Sequence, residues 1–292
     1  MISTLFSSTD FVQTVELWPP SYPVDGPAKP LEKQFSWLSE RLDILGEYFD
    51  AFHVADLKVP GRRYLDPVMT AVSLRDRFRW LEVAPTISAR DRNTKALQEA
   101  VAASLFFGLD NLILVRGDPY LAADPDRSKN VYDVPGVSGL VKLARGVQSS
   151  ISHANLCIMT PVDLSRLEDE KYLDVIRQRE EATSNVFLSQ MFFGDPDDYL
   201  SMLDHLRSEG IRSPVLHNIF PFYSYDDAVD VSLRFKVHVA KPTLDQLKEG
   251  GVSAGVKAAS RFRDVLRANR GKVNGIFVSS RGEPELAIRL AE

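Results

Sequence analysis

Eight short apolar runs recur along this 292-residue chain, and an amphipathic stretch separates most of them from the next. The runs are FVQTVELW (11–18), FHVADLKV (52–59), RWLEVAPTIS (79–88), NLILVRG (111–117), ANLCIMT (154–160), NVFLSQMFF (185–193), PVLHNIF (214–220) and NGIFVSS (274–280). They are rich in Val, Ile, Leu and Phe and short, as strands buried on both faces should be. The stretches between them carry helical periodicity. LEKQFSWLSERLDILGEYF puts Phe35, Leu38, Leu42 and Leu45 on one face, and NTKALQEAVAASLFFGL does the same with Leu97, Val101 and Leu105. DDYLSMLDHLRSEG begins acidic and ends at Gly210, which suits helix polarity and a glycine stop. The longest stretch, LDQLKEGGVSAGVKAASRFRDVLRANR, is interrupted by a Gly pair and reads as one or two helices.

Strands alternating with helices allow a closed (β/α)8 barrel or an open doubly wound sheet. The length is typical of the barrel. No strand runs into a glycine-rich dinucleotide fingerprint, and no shift of composition marks a second domain. The expectation is an α/β fold, a single (β/α)8 TIM barrel domain spanning 1–292.

Composition narrows the partners. Lys plus Arg number 35 against 40 Asp plus Glu, a net charge of −5, which argues against nucleic acid. No apolar stretch approaches membrane-spanning length, and MISTLFSSTDFVQ lacks a basic n-region and an apolar h-region. A soluble, cytoplasmic protein is expected. The single cysteine, Cys157, excludes an internal disulfide and a Cys-rich zinc site, and reads as a buried small hydrophobe. The five histidines are scattered without metal-ligand spacing, so no metal is expected. His53, His153, His205 and His238 read as structural, with His217 left open because it lies near a strand end. No G-x-S-x-G, P-loop or kinase signature is present, so acyl and phosphoryl transfer have no support.

In a barrel of this kind chemistry sits at the C-terminal ends of the strands. The polar residues there are Glu16, Asp56 and Lys58, Ser88, Arg90 and Asp91, Arg116 and Asp118, Gln190, and His217 with Asn218. Glu16 interrupts an apolar strand just before two prolines. Partial desolvation there would raise its pKa and suit a general acid, while an ion pair at the strand end is the bland alternative. Gln190, among hydrophobes, can read a heterocycle edge or bond the neighbouring backbone. Arg116 and Asp118 flank Gly117, which either shapes a tight turn or lets backbone approach a ligand. ARDRN (89–93) starts the next helix, with Asp91 a candidate N-cap and Arg90 or Arg92 candidate phosphate contacts.

Taken in order, VELWPP (15–20), ISARDRN (87–93), ILVRGDP (113–119), YDVPGVSGLV (132–141), QMFFGD (190–195) and, more loosely, NIFPFYSYDDA after the seventh run resemble the methylenetetrahydrofolate reductase family. The resemblance implies a (β/α)8 barrel with FAD at its mouth. NAD(P)H (NADH or NADPH) is the co-substrate, and hydride transfer interconverts 5,10-methylenetetrahydrofolate and 5-methyltetrahydrofolate. It makes Glu16 the acid that opens the methylene bridge, and places Asp118 by the pterin as a catalytic and substrate-binding group. It makes Gln190 a partner of the pterin edge and Tyr225 a stacking aromatic. Cofactor contacts fall to Arg90, Arg116, Gly117, Arg179 and Thr86.

The departures concentrate in the flavin shell. VADLKVPG (54–61) lacks the family's Thr-Tyr. Thr86 stands near a family His, and IMTPVDLSRLEDE (158–170) lacks a Tyr and a His-Pro. Tyr172 and Val175 replace acidic and amide companions of Arg179. Either FAD is held by a rebuilt shell, or hydride passes directly from a nicotinamide. A non-catalytic folate-binding partner of a methyltransferase system is the alternative from another class. The expected partners are tetrahydrofolate derivatives, neither nucleic acid nor membrane, with a homo-oligomer left open.

Overall fold

The computed structural model describes residues 1–9, 11–23, 29–57, 62–117, 133–151 and 155–292. In chain order the first half runs α1 (Ile2–Ser8), β1 (Val12–Leu17), β2 (Ser21–Pro23), α2 (Leu31–Leu45), β3 (Ala51–Val54), β4 (Arg62–Tyr64), α3 (Pro67–Arg77), β5 (Val83–Ser88), α4 (Thr94–Phe106) and β6 (Asn111–Val115). The second half runs α5 (Gly136–Ser150), β7 (Cys157–Val162), a 3-10 turn at Leu164–Arg166, α6 (Glu170–Glu181), β8 (Val186–Ser189), α7 (Pro196–Ser208), β9 (Val215–Ile219), α8 (Tyr225–Phe235), α9 (Lys241–Ala268), β10 (Gly275–Val278) and α10 (Pro284–Ala291).

Strands β1, β3, β5, β6, β7, β8, β9 and β10 close into one barrel, each hydrogen-bonded in parallel to the next and β10 to β1. Each of the eight apolar runs holds one of these strands. Two runs overshoot. The second is in the strand only to Val54, and the chain from Arg79 to Glu82 precedes β5 as a turn and its exit.

Side chains alternate across the barrel wall as strand geometry requires. Val12, Ala51, Ala84, Ile113, Met159, Val186 and Leu216 pack together inside. Val15, Phe52, Val83, Leu112, Ile158, Phe187, Val215 and Ile276 face the helices in a separate, larger cluster. Burying each such large aliphatic side chain contributes about 1.5–3 kcal/mol.

Local chemistry sets the helix starts. Asp66, Asn93, Asp169, Asp195 and Ser224 each accept a backbone N–H of the first turn, in α3, α4, α6, α7 and α8. Asn93, not the expected Asp91, caps α4; Asp91 lies two residues earlier at φ 64°. The Gly pair marks a break inside α9, where Gly251 sits at φ 50°, ψ −134°. A residue with a Cβ is strained at that φ.

Two pieces beyond the eight-fold pattern decide which end of the barrel is open. Helix α1 packs Ile2 into the interior cluster, and the Ile2 N–H donates to Asn111 Oδ1 at 2.8 Å. Asn111 begins its strand, so α1 covers the N-terminal end. At the opposite end, β2 and β4 form a short antiparallel ribbon. No helix of the described residues is long and apolar enough to cross a membrane.

Candidate functional site

A cavity of about 1050 Å³ opens at the C-terminal ends of the strands. That is the upper end of the usual range for small-molecule sites. Strand residues Glu16, His53, Thr86, Leu188 and Phe277 form its inner wall, and the strand-to-helix loops form its rim.

Glu16 is the inward residue nearest the end of β1 and stands in register with His53 of β3. The Trp18 indole N–H donates to Glu16 Oε1 at 2.6 Å, and the Ser279 hydroxyl reaches the same oxygen at 3.3 Å. The Ser280 hydroxyl fixes the backbone by donating to the Glu16 carbonyl at 2.6 Å. Burial pushes the Glu16 carboxyl above the ordinary range. The Trp18 and Ser279 hydrogen bonds and the Arg281 charge oppose that shift without cancelling it. Both donors converge on Oε1, so Oε2 is the oxygen on which a neutral carboxyl carries its proton. Arg281 is held by a bidentate pair with Asp227, at 2.5 and 2.8 Å, and lies over the Phe220 and Tyr223 rings.

The wall across the mouth carries both signs of charge: Asp163 and Asp169 line it with three cations, and Asp169 lies 3.4 Å from Arg166. Arg166, Lys171 and Arg179 line it from the 3-10 turn and α6. Arg179 is 8% exposed; its Nη1 donates to the Pro161 carbonyl at 2.5 Å, and its buried Nε has no hydrogen-bond partner among the described residues. Burial pushes its pKa down, against the favourable influence of Tyr172. Tyr172 accepts the Asp163 backbone N–H at 2.7 Å and lies beneath the Arg166 guanidinium.

Between these walls, the end of β5 is braced internally. Asp56, 4% exposed at its side chain, accepts from Arg92 at 2.7 Å, and Arg92 also reaches Asp66 and the Ser88 carbonyl. Arg92 therefore braces the end of β5, and it is not among the residues that line the cavity. Arg90 is 4% exposed, lines the cavity and lies 3.5 Å from Asp91. Gly117 adopts φ 84°, and a Cβ there would collide with the Ser88 hydroxyl and the Arg90 side chain. Its lack of a side chain serves this turn and packing.

The structure brings Glu16, Gln190, Thr86, Arg90, Arg116, Gly117 and Arg179 to one cavity. Gln190 lies just beyond β8, not within it. Its backbone N–H donates to Val162, and its Oε1 accepts the Met191 N–H at 3.1 Å, which turns the amide NH₂ into the end available to a ligand. Arg116 is exposed at the rim. Tyr225 is not at the cavity: it opens α8, packs with Phe222 and Val231, and has the Lys248 ammonium 4.5 Å from its ring centre. Phe220 supplies an aromatic from that side instead. His217 faces outward and accepts or donates at Nδ1 with the Tyr199 hydroxyl, 2.6 Å away. Asp118, Lys58 and His153 lie outside the described residues.

Among the cavity residues that the sequence did not single out are Trp18, Ser279, Arg281, Arg166, Lys171 and Phe220, and His53, read there as structural, lines it too. Trp18 had a local signal, being two residues after Glu16 and so on the same side of an extended chain. Ser279 and Arg281 follow the eighth apolar run and meet Glu16 only because the barrel closes.

The methylenetetrahydrofolate reductase family profile matches residues 14–252. No curated protein sequence matches the chain. Among solved structures, an uncharacterised protein from Clostridium thermocellum that binds two copies of 5-methyl-5,6,7,8-tetrahydrofolic acid superposes with a TM-score of 0.71 at 12% identity, covering 99% of this chain and 97% of that one. A phosphonopyruvate hydrolase solved with oxalate and Mg²⁺ gives 0.54 at 11% identity, over 98% of this chain and 82% of that one. A 2,3-dimethylmalate lyase gives 0.51 at 12% identity, over 100% and 93%. At such identities these likenesses speak for the fold alone.

Proposed function

Because the chain belongs to the methylenetetrahydrofolate reductase family, we propose that it interconverts 5,10-methylenetetrahydrofolate and 5-methyltetrahydrofolate, with NADH or NADPH as the hydride source. The observation that carries this reading is Glu16, a carboxyl whose pKa is raised by burial and whose Oε1 is pinned by two donors at the wall of a cavity of about 1050 Å³. A general acid works best when it is still partly protonated near the working pH.

In the reductive direction, Glu16 Oε2 passes its proton to N10 of the folate as the bond from the methylene carbon to N10 breaks. The resulting 5-iminium carbon accepts a hydride and becomes the 5-methyl group, while the nicotinamide is oxidised. The Gln190 amide donates to the pterin edge. The resemblance assigns to Asp118 the stabilisation of that cation. The folate-binding neighbour adds support for a tetrahydrofolate ligand in a barrel of this shape.

The family implies FAD. A dinucleotide needs its diphosphate neutralised, and the buried Nε of Arg179, which has no partner among the described residues, fits that need, with Arg166 and Lys171 lining the same cavity. Those residues would hold the diphosphate of FAD or of a nicotinamide dinucleotide, with Arg90 and Thr86 nearer the reacting end. FAD, when bound, supplies a two-electron carrier between nicotinamide and folate.

The test combines a visible absorbance spectrum of the purified protein, before and after addition of FAD and desalting, with NADH and NADPH oxidation in the presence of 5,10-methylenetetrahydrofolate. Turnover is expected. A retained flavin spectrum assigns the route through FAD, and turnover by a colourless protein assigns direct transfer. Tight folate binding without nicotinamide turnover, in either direction and with FAD supplied, would overturn the enzyme reading and leave a folate-binding partner protein.

A further inference from the structure

His53 is 1% exposed, and both ring nitrogens lack a hydrogen-bond partner among the described residues. It nevertheless lines the cavity. Its strand places it in register with Glu16, and its ring lies 4.9 Å from that of Phe277, tilted by 31°. His217 provides the contrast. It is equally buried, but it sits outside the barrel wall, and Tyr199 engages its Nδ1 at 2.6 Å. A histidine kept for packing acquires such a partner, because a buried polar group left unpaired is costly. Among the described residues His53 has none, and it faces the cavity, where a ligand could provide it.

We propose that His53 is a ligand-contacting residue that hydrogen-bonds the edge of the flat nitrogen heterocycle held beside Glu16. The proposal rests on the folate reading of this cavity and deepens it. A neutral imidazole offers one N–H and one lone pair. A pterin edge presents donors and acceptors, so either tautomer finds a match. An uncharged donor also avoids opposing the cationic iminium that Glu16 helps to form. Phe277 fixes the plane of the imidazole, so little side-chain freedom is lost when the contact forms.

The experiment is calorimetric titration of the full-length chain with 5-methyltetrahydrofolate, comparing wild type, His53→Leu, His53→Asn and Glu16→Gln, with thermal unfolding of each. His53→Leu is expected to weaken binding roughly 10- to 100-fold, because a ligand polar atom is left unpaired. His53→Asn is expected to recover part of the loss. His53→Leu should be at least as stable as wild type, since the unpartnered polar group is gone. A folded His53→Leu protein that binds as wild type does overturns the proposal. If His53→Leu does not fold, ¹⁵N imidazole spectra of the wild-type protein decide: a ring nitrogen of His53 that shifts on ligand addition supports the contact, and an unmoved one overturns it. Wild-type protein that binds no tetrahydrofolate overturns the folate reading and this proposal with it. Wild-type binding with an unchanged variant overturns this proposal alone.

Discussion

The two walls of the cavity mouth are built in opposite ways. At the junction of β1 and β10, the acid oxygen is satisfied before any ligand arrives: Trp18 and Ser279 converge on Glu16 Oε1, and Asp227 neutralises Arg281. Across the mouth, at the end of β7 and in the last turn of α6, a guanidinium is buried with a donor that has no partner among the described residues, Arg179 Nε. A group already oriented within the protein can move a proton without reorganising, whereas an open donor gains most from an anion that arrives with the ligand. The first wall should therefore govern rate and the second affinity.

Glu16→Gln tests that division most severely. It keeps an oxygen for Trp18 but removes the proton, so turnover should fall about 10²- to 10⁴-fold. Affinity for 5-methyltetrahydrofolate, measured by calorimetry, should change only a few-fold. A parallel loss of affinity would erase the distinction between the walls.

The acid limb of stability comes next. His53 and His217 have folded pKa values lowered by burial to about 3. In the unfolded chain they take up protons near 6.5, so the unfolded state binds more protons between those limits. Above pH 6.5 they impose no penalty, and as pH falls toward 3 each lowers the stability, by about 5 kcal/mol over the whole interval. Urea unfolding at pH 7 and pH 4 should register the loss, and His53→Leu and His217→Leu should each flatten the slope.

Arg179→Met should raise the dissociation constant for a dinucleotide about 10- to 100-fold, the worth of a hydrogen bond to a charged group, with turnover at saturation nearly unchanged. Fluorescence titration beside steady-state kinetics separates the two. A fall in saturated turnover alone would place Arg179 on the wrong side of the comparison.

Trp18→Phe is expected to have the smallest effect. It removes a donor that lowers the Glu16 pKa, so that pKa rises further. A protonated acid is needed for the reductive step, so the rate falls as pH rises through that pKa. The variant should shift this falling limb to higher pH. An unmoved pH profile would mean that the indole only packs.

Much of the barrel was legible because each strand announces itself locally. NLILV, CIM and GIFV are apolar on both faces, and a buried parallel strand needs both faces apolar. Helix starts were readable where one side chain does the work, and misread at Asp91 because Asn93, two residues on, reaches the first turn instead. Glu16 and Gln190 stood out as polar residues within apolar runs, and both line the cavity. Tyr225 did not follow, because its turn of α8 packs against Phe222 and Lys248 and leaves Phe220 at the cavity. His53 read as structural because a lone histidine in an apolar run looks the same whether or not a partner awaits it.

What the amino-acid sequence determined by itself is the strand and helix pattern and the family. These follow from periodicity and short motifs, which act over a few residues. Closure of the barrel decided the rest. Parallel pairing of β10 with β1 brings Ser279 and Arg281 to Glu16 across more than 260 positions of chain. The same closure removes water from Glu16 and His53, and it is desolvation, a property of the assembled wall, that sets the protonation of both.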